Sequence, residues 1–82
     1  MIVVRYFAAI KDKIGQDQDV FDIEPGTNLK QIVDRICKRH PGVSEIFQTN
    51  NFLFAINQEM ASLDTELKDD DEVAIFPPLS GG

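Results

Sequence analysis

Residues 27–42, TNLKQIVDRICKRHPG, decide the fold because they contain the clearest helix pattern in the sequence. Thr27 is predicted to cap the start of the helix, and Pro41 and Gly42 to end it. The apolar side chains follow the i, i+3, i+4, i+7, i+8 spacing of one helix face: Leu29, Ile32, Val33, Ile36 and Cys37. A helix with one apolar face needs a second layer to pack against, and the neighbouring segments read as the strands of that layer.

Strand-like segments lie on both sides of this helix. β-Branched and aromatic residues predict strands over 2–8 and 16–24, with a short helical turn over 9–14 between them and a stop at Gly15. The dipeptide Pro25-Gly26 predicts a turn into the helix.

Three further strands are predicted after the helix. Residues 43–51 read as a helical turn and loop, and 52–56 as a strand that is apolar on both faces. Asn57 and Gln58 predict a tight turn into a short strand near Met60, with Leu63 and Leu67 anchoring the following loop. The run 68–71 reads as a solvated turn before the last strand, 72–76.

This order of elements predicts one α+β domain over residues 1–76, with an extended tail over 77–82. The first and last strands are expected to lie side by side in the middle of the sheet. A chain of 82 residues with 43% apolar content can build one core, and an enclosed active site would compete for the same side chains. The size therefore favours a binding or carrier module over a self-contained enzyme.

Charge and cysteine content exclude several classes of function. The net charge is −6 and the lysines and arginines are scattered, so nucleic acid is not an expected partner, whereas a basic protein is. The single Cys37 cannot form an internal disulfide and is expected to pack in the core, in a reducing, cytoplasmic compartment. His40 near the helix end is explained by the helix dipole, so neither residue predicts a metal site. No segment reads as a signal peptide or a membrane span.

The ending PPLSGG, residues 77–82, is the sharpest functional signal. Two glycines can pass through a channel that any Cβ would block, and two prolines hold the base of the tail extended. Six residues reach roughly 20 Å at ~3.3 Å per residue. A carboxylate at Gly82 is inert until ATP converts it to an acyl-adenylate, which a sulfur or nitrogen nucleophile can then attack. The alternative is a frayed terminus.

Alternation along the first and last strands predicts a partner-docking surface. Arg5 and Phe7 share one strand face, and Glu72 and Phe76 share another, and the charged member marks each face as exposed. If the two strands are parallel neighbours, Phe7 and Phe76 meet at the root of the tail as an apolar patch suited to a partner. The alternative is that both rings close the rim of a small core.

Two segments resemble the small subunit of molybdopterin synthase, the MoaD family. They are DDDEVAIFPPLSGG, residues 69–82, and MIVVRYFAAIKDKIG, residues 1–15. The turn Asn57-Gln58 after an apolar strand is also similar. Asp70 stands where glycine is usual in that family. This departure affects only the expected backbone geometry of the turn that contains Asp70. The resemblance covers essentially the whole chain and is most specific in the tail.

The resemblance implies a β-grasp, ubiquitin-like fold, in which a mixed sheet packs on one main helix. It implies that an E1-like, ATP-dependent enzyme adenylates Gly82, and that a sulfur donor protein supplies the sulfur for a thiocarboxylate, 1-thioglycine. The carrier would then donate this sulfur to cyclic pyranopterin monophosphate in the large subunit of molybdopterin synthase. The expected assembly is a heterotetramer with two small subunits on a large-subunit dimer.

The family also implies roles for particular residues. Met60 would join Phe7 and Phe76 in docking, and catalytic side chains would lie on the large subunit, so this chain would be a non-catalytic sulfur donor without a bound cofactor. The tail residues expected to insert into the large subunit are Pro77, Pro78, Leu79, Ser80 and Gly81.

Three other functions stay open from the sequence. A sister carrier would deliver sulfur to the thiazole of thiamin or to another acceptor; such carriers typically lack the run Phe76-Pro77-Pro78. A ubiquitin-like modifier would join Gly82 to lysines through isopeptide bonds. An interaction module with a disordered tail would keep its function without Gly82.

Overall fold

A five-stranded mixed sheet covers one main helix in the computed structural model, which describes residues 1–49 and 52–77. The elements in chain order are β1 (Ile2–Tyr6), α1 (Ala8–Ile14), β2 (Gln18–Phe21), α2 (Leu29–Arg39), a 3₁₀ turn (Pro41–Val43), α3 (Ser44–Thr49), β3 (Leu53–Ile56), β4 (Glu59–Ala61) and β5 (Glu72–Phe76). The strand order is β2-β1-β5-β3-β4. β1 and β5 are parallel, and the other pairs are antiparallel, so the predicted central pairing of first and last strands is confirmed.

The core lies between α2 and the inner face of the sheet. Alternate residues of β1, β2 and β5 point inward, and α2 contributes the side of the helix that its apolar spacing predicts. The twelve residues of this cluster are at most 2% exposed: Ile2, Val4, Tyr6, Ile10, Phe21, Leu29, Ile32, Ile36, Val43, Leu67, Val73 and Ile75. Burying each large aliphatic side chain contributes about 1.5–3 kcal/mol, so this cluster supplies most of the driving force for folding.

The helix cap differs from the prediction by one residue. Asn28, not Thr27, is the N-cap: its side chain accepts from the Gln31 N–H at 2.9 Å, and Gln31 Oε1 accepts from the Asn28 N–H at 2.9 Å. This reciprocal pair is a capping box. The Thr27 hydroxyl instead donates to the Glu24 carbonyl at 2.8 Å and closes the preceding turn. The prediction of Thr27 was wrong because both residue types cap well and the turn decides which one faces the helix.

Three predicted strands are shorter in the structure, the strand predicted over 52–56 by one residue and the first two by more. β1 ends at Tyr6 because Ala8 turns into α1 with a positive φ of 55°. β2 covers only Gln18–Phe21, because the chain after it leaves the sheet for the turn at Pro25 and Gly26, where Gly26 has a φ of 91°. A positive φ is costly for most residues and nearly free for glycine.

The loop after β4 confirms one of its two predicted anchors. Leu67 is buried, but Leu63 is 40% exposed, so its prediction as a side-chain anchor was wrong. Leu63 holds the loop through its backbone instead, because its carbonyl accepts from the Lys30 N–H at 3.0 Å.

The turn at 57–58 and the turn at 68–71 are both confirmed. Asn57 and Gln58 have φ values of 51° and 72°, which give the hairpin turn that matches the twist of two antiparallel strands. Asp70, where the resembling family usually has glycine, adopts a φ of 68°. Aspartate tolerates this region better than most residues, so the turn keeps its geometry.

The predicted tail lies almost wholly outside the described residues. Pro77 is described and partly exposed, whereas Pro78, Leu79, Ser80, Gly81 and Gly82 fall outside the described range, so the predicted boundary between domain and tail stays a prediction. Within residues 1–49 and 52–77, no helix combines the length and the apolar character needed to cross a bilayer.

Candidate functional site

Phe7 and Phe76 stack on each other at the root of the tail. Their ring centroids are 4.9 Å apart and their planes differ by 15°. The parallel register brings them together, because Tyr6 pairs with Ile75 and each phenylalanine is the next residue along its strand. Phe7 is 38% exposed and Phe76 is partly exposed, so the pair forms a surface feature outside the buried core.

Further apolar side chains extend this pair across the outer face of the sheet. Leu53 lies opposite Phe76, and Ala55 lies between Ala74 and Met60 in the strand register. Met60 is 65% exposed. We call the surface formed by Phe7, Leu53, Met60, Ala74 and Phe76 the docking face. Its position at the end of β5 means that anything bound to it also meets Pro77, where the tail begins.

An ion pair borders the docking face on the same side of the sheet. Arg5 Nε lies 3.0 Å from a carboxylate oxygen of Glu72, and both side chains are about half exposed. This confirms that these two residues mark the outer faces of their strands. Exposed pairs of this kind contribute about 0–1 kcal/mol to stability, so its place beside an apolar surface matters more than its energy.

A buried polar cluster lies under the end of β1. Asp19 is 8% exposed, and its carboxylate accepts hydrogen bonds from the Tyr6 hydroxyl at 2.6 Å and from Gln16 Nε2 at 2.6 Å. His40 Nε2 lies 2.7 Å from the same carboxylate, and an Arg39 nitrogen lies at 3.4 Å. The cluster ties β1 and β2 to the C-terminal end of α2.

The pKa values in this cluster follow from burial and hydrogen bonding. Burial alone would raise the pKa of Asp19, but the hydrogen bonds with Tyr6 and His40 and the nearby Arg39 charge outweigh it, so the pKa lies below its usual range. Burial and the Asp19 carboxylate together raise the pKa of Tyr6 well above its usual value. The cluster therefore favours an ionised Asp19 and a neutral Tyr6 at physiological pH.

This cluster was not predicted from the sequence. His40 was assigned to the helix dipole, and Asp19 was not assigned to the inner face of β2. The available signal was that Asp19 shares a strand face with Phe21, so its carboxylate had to point inward and needed buried donors.

The acidic turn, residues 68–71, lies at the opposite end of β5 from Pro77, because β5 begins at Glu72 and ends at Phe76. Asp69 pairs with the amino group of Met1. Asp71 accepts from Asn57 Nδ2 at 2.8 Å and from the Lys68 N–H at 2.7 Å. Among the described residues, no group of three or more potential ligands could hold a metal ion. The prediction of a solvated turn agrees with these contacts.

The thiol of Cys37 is a weak nucleophile in this structure. Cys37 is half-buried, and burial, followed by the charge of Asp34, raises the pKa of its thiol, which keeps the thiol protonated and unreactive. It packs against the core, as predicted. What the described residues do provide is an apolar face beside the start of the tail.

Comparison with known proteins gives the family. The sequence model of the ThiS family matches residues 4–82. The molybdopterin synthase sulfur carrier subunit of Chlamydomonas reinhardtii is 40% identical over 83 residues, covering 99% of this chain and 98% of the relative. The protein of the same name from Homo sapiens is 31% identical over 84 residues, covering 99% of this chain and 93% of the relative.

Solved structures confirm the predicted ubiquitin-like β-grasp fold. Small archaeal modifier protein SAMP1 from Haloferax volcanii superposes with a TM-score of 0.85 over 99% of this chain and 98% of that one; at 22% identity it shows the fold alone. The putative molybdopterin converting factor subunit 1 of Pyrococcus furiosus gives a TM-score of 0.79 at 30% identity, covering 95% of this chain and 97% of that one.

One structural relative was solved with a partner. It comes from the Helicobacter pylori complex of subunits 1 and 2 of the molybdopterin-converting factor, and it is 28% identical with a TM-score of 0.62, covering 99% of this chain and 97% of that one. Together with the full-length sequence relatives, these structures confirm the resemblance that the two ends of the sequence predict. The chain belongs to the ThiS family.

Proposed function

We propose that this chain is the sulfur carrier of a molybdopterin synthase and acts in molybdenum cofactor biosynthesis. The observation that carries the proposal is the stacked pair Phe7–Phe76, which lies on an exposed apolar face directly before the tail at Pro77. Relatives that match essentially the whole chain carry this function in their names. The family match runs through Gly82, so it includes the residue on which the chemistry depends.

The reactive group in this proposal is the carboxylate of Gly82. An E1-like enzyme joins a carboxylate oxygen to the α-phosphorus of ATP and expels pyrophosphate. The outer sulfur of a persulfide on the donor protein then attacks the carbonyl carbon and displaces AMP. A thiol next attacks the donor-side sulfur of the resulting acyl disulfide, which releases a thiocarboxylate on Gly82 and leaves a disulfide between the thiol and the donor. Transfer of that sulfur to cyclic pyranopterin monophosphate, with water supplying the replacement oxygen, returns the carboxylate for another cycle.

The docking face and the tail divide the work of delivery. Phe7, Met60 and Phe76 bind the large subunit, and the tail, at ~3.3 Å per extended residue, carries Gly82 roughly 20 Å into its active site. The tail residues proposed to insert with Gly82 are Pro77, Pro78, Leu79, Ser80 and Gly81. Support for a large-subunit partner comes from the two-subunit complex of the Helicobacter pylori relative. We propose two such carriers on a large-subunit dimer.

This division also explains why the carrier is small. The large subunit supplies the catalytic side chains, while this chain supplies sulfur and a surface. In agreement with that role, the thiol of Cys37 is held in its unreactive form. Because proline restricts the backbone, the dipeptide Pro77-Pro78 should reduce the entropy that the tail loses on insertion.

Intact mass spectrometry tests the proposal. The chain is produced with its activating enzyme and sulfur donor, and a control preparation omits the activating enzyme. We expect one oxygen to be replaced by sulfur, located on Gly82 by fragmentation, in the first preparation and not in the control. Isopeptide adducts of Gly82 on many proteins, without a thiocarboxylate, would overturn the proposal in favour of a modifier.

A further inference from the structure

The two edges of the sheet differ in whether their outward backbone groups are bonded. The carbonyl of Asp17, the residue before β2, points towards β1, because it accepts from the Tyr6 N–H at 2.8 Å. Since the direction alternates along a strand, the carbonyls of Gln18 and Val20 point away from β1, and that of Asp22, the first residue after β2, continues the alternation.

All three of those carbonyls accept hydrogen bonds from side chains of this chain. Gln16 Nε2 donates to the first at 2.8 Å, Arg39 donates to the second at 3.2 Å, and Arg35 donates to the third. Both guanidinium groups also lie over the ring of Phe21, at 4.1 Å and 5.0 Å from its centroid. The β2 edge is therefore closed to pairing with another strand, which is a common protection of exposed edges.

On the β4 edge, Met60 has no such protection from the residues that the structure describes. Ile56 and Glu59 flank the two-residue turn at Asn57 and Gln58, so they form the hydrogen-bonded pair of the hairpin. The next residue, Met60, must then direct both its N–H and its carbonyl away from β3. The hydrogen bonds found among residues 1–49 and 52–77 leave these two groups without a partner.

The residues around this edge indicate which side chains a pairing strand would carry. On the outer face the Met60 side chain continues the docking face. A concavity of about 260 Å³ beside this edge has Met60 in its lining, and its charged residues are Glu59, Glu66, Asp71 and Lys68, three acidic and one basic. Within the described part of the chain, Glu59 and Glu66 form no ion pair. A strand that alternates apolar and basic side chains matches both the docking face and this concavity.

We propose that an extended segment of the large subunit, alternating apolar and basic residues, pairs with β4 at Met60 and extends the sheet by one strand. The inference rests on the proposed function, because the large subunit is the partner that covers Met60 on the docking face. Backbone pairing gives such a segment its register, and the side-chain alternation gives it specificity. A second copy of this chain is a poor occupant, because edge-to-edge pairing would bring the Glu59 and Glu66 carboxylates of both copies together.

Amide hydrogen exchange of the unmodified chain tests the proposal. In the free chain the Met60 amide should exchange rapidly, while the Glu59 amide, bonded within the hairpin, exchanges slowly. With the large subunit at about 100 times the Kd, exchange at Met60 should slow by about 100-fold. The Val20 amide, which points outward on the closed edge, is the matched control and should stay fast.

Two substitutions separate the backbone from the side chain. Met60→Ala keeps the amide N–H, and Met60→Pro removes it without touching a bond inside the sheet. Met60→Pro should bind the large subunit about 3- to 10-fold more weakly than Met60→Ala, as expected for one lost hydrogen bond. Thermal melting of both variants checks that they are folded.

The outcomes distinguish the two proposals. A complex in which the Met60 amide still exchanges rapidly would overturn strand addition and leave docking intact. Equal slowing of exchange at Val20 would have the same meaning, because it would show that the complex buries both amides without strand pairing. Absence of any complex would overturn the proposed function itself. If exchange at Met60 slows in the chain alone, and slows further as the chain concentration rises, the β4 edge pairs with a second copy. That result would contradict the proposal.

Discussion

At the scale of single residues, the proposed binding to the large subunit depends on Phe7 and Phe76. They stack on the outer face of the sheet, outside the buried core, so removing either ring costs contact area in a complex more than it costs packing in the free chain. Central aromatic residues commonly account for 2 kcal/mol or more of binding energy when truncated.

Phe7→Ala and Phe76→Ala should therefore weaken binding to the large subunit by about 30-fold, while the free energy of unfolding falls by only about 1 kcal/mol. Calorimetric titration and thermal melting measure the two effects. Val20→Ala is the matched control, since Val20 is exposed on the same side of the sheet but lies outside the docking face. Unchanged binding by both phenylalanine variants would count against the docking face.

Asp19 gives the fold a defined response to acid. Its folded-state pKa lies below the unfolded value of about 3.9, so its stabilising contribution is complete above that pH and disappears as the pH falls through the folded-state pKa. Asp19→Asn should lower the free energy of unfolding by about 1–3 kcal/mol at pH 7, because Tyr6 and His40 lose a charged acceptor.

Denaturant unfolding of parent and variant between pH 7 and pH 2 tests this response. The difference between the two proteins should shrink in the acidic part of the range, below about pH 4. Asp17→Asn, at an exposed carboxylate in the same segment, serves as the control. A difference that stays constant over the whole range would show that the ionisation of Asp19 does not stabilise the fold.

At the scale of elements, the cap of α2 shows how neighbouring residues divide their work. Asn28 caps the helix, while Thr27 closes the turn before it. Asn28→Ala should cost about 1 kcal/mol and lower Tm by about 4–8 °C in a domain of this size. Thr27→Ala should cost only a few tenths of a kcal/mol, since its bond to Glu24 is exposed. An equal or larger loss for Thr27→Ala in thermal melts monitored by circular dichroism would contradict this assignment.

Local periodicity predicts most of the elements, and long-range contacts decide the rest. The spacing of Leu29, Ile32 and Ile36 and the alternation of the outer strands depend only on nearby sequence, so α2 and the Phe7–Phe76 pair were predictable. The hydrogen bonds from Arg35 and Arg39 to the β2 edge depend on where α2 packs against the sheet. The exact helix cap depends on the preceding turn, which the sequence pattern does not resolve.

At the scale of the whole molecule, the acidic turn at 68–71 and Pro77, where the tail begins, lie at opposite ends of β5. The chain carries a net charge of −6. The roles proposed for residues 78–82 follow only from residue type and resemblance, because they depend on other proteins. The exposure of Phe7 and Phe76 was predictable from alternation along their strands, whereas Met60 was predicted from the resemblance and Leu53 was not predicted.

This net charge should speed association with a basic partner. The association rate with the large subunit should fall by about 10-fold between low and high salt, with a smaller change in the dissociation rate. Stopped-flow mixing over a series of salt concentrations measures both rates. An association rate that does not depend on salt would contradict electrostatic steering.

The central claim is that the reactive atom of this chain belongs to the backbone carboxylate of Gly82. The most direct measurement is the rate of molybdopterin formation in a reconstituted system, comparing the parent with a variant that carries one added alanine after Gly82. Mass spectrometry verifies that the added residue stays in place. We predict that the extended variant binds the large subunit but forms no molybdopterin. Formation at the parent's rate by the uncleaved variant would contradict the claim.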